Sequence, residues 1–105
     1  PWGHIQSQVD IGKVRQIKGK VFVGDNEIIV RVKIALYRIE KEKKTFIGSQ
    51  ESDDNGNFCF KGILKGKYEL RMGREGFNSK YFILELVPNN KKLQNFIKAF
   101  IEIGT

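Results

Sequence analysis

From Gln16 onward, apolar and polar residues alternate with a period of two. In IKGKVFV (residues 17–23), Ile17, Gly19, Val21 and Val23 fall on one face and Lys18, Lys20 and Phe22 on the other, as in a half-buried strand. GDNE (24–27) is a turn signal. IVRVKIALYRI (29–39) alternates longest, setting Val30, Val32, Ile34 and Leu36 against Arg31, Lys33, Ala35 and Tyr37, with the β-branched content that strands favour. EKEKK (40–44) is a charged turn. TFIGSQES (45–52) resumes as a strand whose polar residues and Gly48 suit a sheet edge. FCFKGI (58–63) puts Phe58 and Phe60 on one face, and KGKYELRM (65–72) turns Tyr68, Leu70 and Met72 inward. GREGFNS (73–79) breaks the pattern, and KYFILELV (80–87) is a strand ended by Pro88. In LQNFIKAFIEI (93–103), Leu93, Ile97 and Phe100 fit a helical stripe, while Ile97, Ala99, Ile101 and Ile103 fit a strand. The alternation to the end, with no N-cap residue followed by Glu, favours the strand.

Seven strands and no helix predict an all-β chain, a β-sandwich or small barrel. Residues 1–15 show no sustained period and are expected to be a leader or linker, in which Trp2 has no assigned contact; the β-sandwich domain is expected to span 16–105. A chain of 105 residues suggests one domain, able to bury roughly 60–70% of its unfolded surface. The hydrophobic share of 40%, including eight Phe, is enough for a core and argues against disorder.

The acid- and amide-rich cluster Asp53-Asp54-Asn55-Gly56-Asn57 invites comparison with a calcium loop. With Gly56 at loop position 6, the closing position 12 is Gly62 and the bidentate Glu is missing. A turn explains more. Asn-Gly takes the positive φ of a tight hairpin, and Asp and Asn side chains cap nearby amides. The longer run DDNGNFCFKGILKGKYELRMGREGF (53–77) resembles the signature of carboxypeptidase regulatory-like domains, in the transthyretin (prealbumin)-like group. The resemblance rests on Asp53/Asn55/Gly56, Phe58/Phe60, Gly62/Ile63, Gly66/Tyr68/Leu70 and Gly76/Phe77, and extends over about residues 16–103, with IKGKVF and VKIAL matching the first two strands. Leu64-Lys65 departs from it, since the family often has Pro there. The resemblance implies a seven-stranded Greek-key β-sandwich serving as an accessory module. In the carboxypeptidases that carry such modules, the zinc site lies in a separate domain. Phe58, Phe60 and Tyr68 are expected in the core, with the Tyr68 hydroxyl pinning a nearby loop.

Catalytic sets are sparse. His4 is the only histidine and falls in the expected leader, so a two-His zinc site is excluded within this chain and a His-based triad is not expected. Hydroxyisourate hydrolases share the transthyretin-like fold but end in Tyr-Arg-Gly-Ser, whereas this chain ends IEIGT. Cys59 is the only cysteine, which excludes an internal disulfide, and it has no evident base. Collagen-adhesin B-type repeats form Lys–Asn isopeptides with the help of a Glu four residues after the strand Tyr. That position is Met72 here, leaving Lys18, Lys20 and Asn95 as loose candidates. No catalytic residue, cofactor or metal is expected, and the chain is read as not an enzyme.

The surface is what remains. Nineteen basic residues against twelve acidic give a net charge of +7, which favours acidic partners. Arg31, Lys33, Lys67 and Arg71 would share a basic sheet face if their strands are neighbours, a surface for an anionic glycan or, less favoured, nucleic acid. Phe22, Phe96 and Phe100, with Phe46, are candidates for an apolar interface. The expected role is an accessory module, with a protein partner or neighbouring domain, in a larger exported protein; the alternative is a binding module for an anionic polymer. The chain starts at Pro1 and is read as a processed product or an excised piece, extracytoplasmic, without a transmembrane segment.

Overall fold

The alternation becomes nine strands in a computed structural model that describes residues 5–10, 15–24, 27–87, 93 and 95–102. They are β1 (Ile5–Asp10), β2 (Ile17–Val23), β3 (Glu27–Ile28), β4 (Lys33–Glu40), β5 (Lys43–Glu51), β6 (Asn57–Phe60), β7 (Gly66–Gly73), β8 (Lys80–Val87) and β9 (Ile97–Ile101). No helix occurs among the described residues, so none is long and apolar enough to cross a membrane. Trp2, His4, Asp25-Asn26 within the GDNE turn, Pro88, the NNKK turn and Ile103 lie outside the described residues.

Five strands form one sheet in the order β1-β8-β7-β4-β5; in the other, β2 pairs with β3, β6 and β9. The β7–β8, β4–β7 and β4–β5 pairs are antiparallel, and β1 runs parallel to β8. In the smaller sheet β2 is antiparallel to β3 and β6 and parallel to β9. The fold is thus an all-β two-sheet sandwich. Its core is built from alternate residues: Ile34, Leu36, Tyr68, Leu70, Met72, Phe82, Leu84 and Leu86 from the larger sheet, and Ile17, Val21, Phe58, Phe60, Ile97, Ala99 and Ile101 from the smaller. A fully buried side chain of this size stabilises by about 1.5–3 kcal/mol, which holds the sheets together without a disulfide. Gly19 falls in the inward row because nothing larger fits. A Cβ there would lie 2.3 Å from the Ile97 carbonyl oxygen and 2.6 Å from the Phe58 ring.

Four readings of the sequence change. The stretch 1–15, expected as a leader, contributes β1, a strand of the larger sheet. Glu27–Ile28, read as the end of a turn and the residue after it, forms the short β3. The run 29–39 is not one strand: Arg31 adopts φ 58°, β4 begins at Lys33, and the buried residues before it are Ile29 and Val32, three apart rather than two. Finally, Asp53–Asn57 is not a hairpin between paired strands. It carries the chain from β5, at the edge of the larger sheet, to β6 in the smaller one. Gly56 has φ 78° at this corner, and its carbonyl accepts from the Val21 amide at 2.9 Å.

The edges thus brought together are tied by Gln50. Its side-chain amide donates to the Cys59 carbonyl at 2.6 Å, and its oxygen accepts from the Cys59 amide at 2.8 Å. The carboxamide therefore occupies β6 backbone groups to which another strand would otherwise add.

Candidate anion-binding cleft

The outer face of the larger sheet is set by register. Ala35 opposes Arg71 and Tyr37 opposes Glu69 across β4–β7, Arg71 opposes Tyr81 across β7–β8, and Tyr37 opposes Phe46 across β4–β5. At one end of this face lies a cleft of about 670 Å³, lined by Arg31, Lys33, Arg71 and Arg74 together with Ala35, Met72, Tyr81, Ser79 and Glu75. Each cation arrives by a different route. Lys33 and Arg71 project from β4 and β7. Arg31 comes from the left-handed break before β4. Arg74 follows β7, where its Nη1 donates to the Val30 carbonyl at 2.9 Å and its guanidinium sits 6.0 Å from the Phe77 ring centroid.

Arg71 is held on three sides. Its Nε donates to Glu69 Oε2, and its guanidinium lies 4.5 Å from the Tyr37 ring centroid and 5.7 Å from that of Tyr81. Tyr37 is itself braced edge-on by Phe46, with centroids 5.6 Å apart. Glu69 is only 1% exposed although it faces outward, because its neighbours' side chains close over it. Its other oxygen accepts from Lys44 Nζ at 2.8 Å. Burial alone would raise the Glu69 pKa, but the hydrogen bonds and charges of Lys44 and Arg71 outweigh it and hold the carboxyl below its ordinary range. Reciprocally, the hydrogen bond to Glu69 raises the Arg71 pKa against a smaller opposing effect of burial.

Of the four residues expected on a basic face, Arg31, Lys33 and Arg71 line this cleft. Lys67 does not: it stands beyond Glu69 on β7, opposite Ile39 and Glu85. Arg74, Ser79 and Tyr81 were not singled out from sequence, since two of them sit where the alternation breaks. The burial of Glu69 had no sequence signal, because it depends on four strands at once.

The remaining predicted residues lie elsewhere. Asp53 Oδ1 accepts from the Asn55 and Asn57 amides, both at 2.9 Å, and so serves the corner. Phe58 and Phe60 are buried. Tyr68 donates its hydroxyl hydrogen to the Leu64 carbonyl at 2.8 Å and accepts from Arg38 at 2.6 Å, fixing the loop before Gly66. Phe22 and Phe100 stack at 5.3 Å on the outer face of the smaller sheet; Phe96 is half-buried and Phe46 exposed. Cys59 is half-buried, with Sγ 3.6 Å from Gln16 Oε1. Asn95 is exposed, and the ion pairs among the described residues, Arg38–Glu40, Lys44–Glu69 and Arg71–Glu69, bring no acid to Lys18 or Lys20. No three His, Cys, Asp or Glu side chains converge as metal ligands among the described residues.

No family model and no curated protein matches this chain. Solved structures do. One is 3-chlorocatechol 1,2-dioxygenase from Rhodococcus opacus 1CP, with TM-score 0.66 and 11% identity over 85% of this chain and 59% of that one. Another is the dioxygenase domain of a dioxygenase–carbohydrate-binding fusion from the cellulolytic bacterium Streptomyces sp. SirexAA-E, with TM-score 0.63 and 10% identity over 99% and 94%. A third is the pilus 2b backbone protein of group B streptococcus, with TM-score 0.56 and 15% identity over 86% and 41%. The chain thus spans about 59% of the length of the chlorocatechol enzyme. At these identities the likeness is one of fold, and it defines the chain as a β-sandwich module. It also corrects the reading that the chain is not an enzyme. The same sandwich is found in a 3-chlorocatechol 1,2-dioxygenase and in a dioxygenase domain, so this fold does not set the chain apart from enzymes.

Proposed function

We propose that this sandwich is a contact module of a larger, exported protein, and that its working surface is the cationic cleft, which receives an anionic group. The observation that carries this is the convergence of Arg31, Lys33, Arg71 and Arg74 on one cleft rimmed by a single carboxylate, Glu75. Clustered cations in a partly walled site concentrate a field that dispersed surface lysines do not. The carboxypeptidase regulatory-like resemblance supports an accessory role and a transthyretin-like strand order. The pilus backbone neighbour supports an extracytoplasmic setting. Between the two roles read from the sequence, spacer or anion binder, the cleft favours the second.

The test is retention on immobilised heparin across a salt series. The parent is expected to bind at low salt and to elute as screening rises from about 50 to 200 mM. Arg31→Glu with Lys33→Glu should abolish retention and leave the melting temperature nearly unchanged, because both side chains are exposed. A control pair, Lys20→Glu with Lys98→Glu, lies in register on the outer face of the smaller sheet and should change retention far less. Equal losses from both pairs would mean that retention follows net charge alone, and the cleft reading would fall.

A further inference from the structure

Resting on the cleft reading, we infer that the group received by Arg71 is a carboxylate carried on a ring-sized body, as in the uronate units of a polysaccharide, rather than a sulfate or phosphate. Three features point this way. First, Arg71 is fixed before any ligand arrives: Glu69 takes its Nε, and Tyr37 and Tyr81 flank the guanidinium plane. The two terminal nitrogens have no hydrogen-bond partner among the described residues, so a parallel pair of N–H groups remains for a planar, bidentate acceptor. Second, the cleft is far larger than an inorganic ion, and part of its wall is apolar. Ala35 and the Tyr81 ring, both half-buried on this wall, suit the uncharged body of a ring. Third, Glu75 on the rim and Glu69 beneath Arg71 place negative charge close to the ligand. That opposes a dianion or a densely sulfated chain more than one carboxylate per ring.

The experiment measures affinity by fluorescence anisotropy for end-labelled hexagalacturonate, fully methyl-esterified hexagalacturonate, a dextran sulfate oligomer of matched length, and polyphosphate. Benzoate and free galacturonate serve as competitors. Hexagalacturonate is expected to bind at least tenfold more tightly than dextran sulfate or polyphosphate, and its methyl ester not measurably. Arg71→Lys keeps the charge and the attraction to Glu69 but removes the fork, so it should cost tenfold or more against hexagalacturonate. Tyr81→Leu leaves the Arg71–Glu69 pair intact and should weaken binding several-fold with unchanged secondary structure, which keeps the inference testable if Arg71→Lys folds poorly. If dextran sulfate or polyphosphate binds as well as hexagalacturonate, and Arg31→Glu/Lys33→Glu abolishes it, the carboxylate inference falls while the cleft reading stands. If benzoate displaces hexagalacturonate at equal concentration, the source is a small acid and the polysaccharide is wrong. If no anion responds to Arg31→Glu/Lys33→Glu, the cleft reading itself is refuted.

Discussion

Glu69→Gln asks whether the outer face of the larger sheet is held by charge or only by packing. The carboxylate is 1% exposed and accepts from Lys44 and Arg71. Hydrogen bonds to a charged group contribute about 1.5–3 kcal/mol each. Two effects cut into the gross sum. Burying the carboxylate costs several kcal/mol, which the amide does not incur. The Lys44 and Arg71 side chains are each 45% exposed, so they return to water when their partner is lost. Against this, Gln keeps one acceptor but must turn its NH₂ toward either an ammonium or a guanidinium. The net loss is expected to be about 1–3 kcal/mol, read as a lower urea midpoint at constant m-value. In melting temperature it is about 4–8 °C per kcal/mol for a domain of this size. The pH dependence makes the test specific. The folded Glu69 pKa lies below its ordinary value of 4.5, so its contribution is fully present above that value and is lost as the pH falls through the folded pKa. The gap between parent and variant should therefore be widest near neutral pH and close progressively below about pH 4.5. Coincident stability curves from pH 7 to pH 3, or a variant more stable than the parent, would refute this account of Glu69.

Gly56→Val should destabilise by about 1–3 kcal/mol in chemical denaturation. Its Cβ would sit 2.8 Å from Ile28 Cγ2 at φ 78°, and a variant that unfolds with the parent would show the corner to be tolerant. Gln50→Ala removes both side-chain bonds to Cys59 and should cost about 1–2 kcal/mol, since the freed β6 backbone can partly hydrate. The same variant should self-associate more in sedimentation, because the uncovered edge can pair with another chain; unchanged sedimentation would show that Gln50 does not guard the edge.

What the sequence made legible follows from what a two-residue period encodes. It sorts side chains between two faces of a strand, so the inward rows of β2, β4, β7 and β9 could be assigned from sequence alone. It does not say which strands are neighbours. IQSQVD shows no sustained period, and its partner is β8, more than seventy positions away and parallel, with no turn between them to advertise the pairing. Nor does the period show where a strand gives way. Arg31 has an ordinary place in the alternation of 29–39, but its left-handed backbone ends the pattern and leads the chain to the cleft. Arg74 and Ser79 lie in the break between β7 and β8, and reach the same cleft because those strands are paired. The regular positions were legible because burial repeats along the chain. The cleft was only half legible: Arg31, Lys33 and Arg71 have places in the alternation, whereas Arg74, Glu75 and Ser79 sit where it breaks. A backbone released from the ladder can aim side chains across a sheet face, which an unbroken strand cannot do. The part of the cleft that the alternation missed, Arg74 and Ser79, is therefore the part that no strand carries.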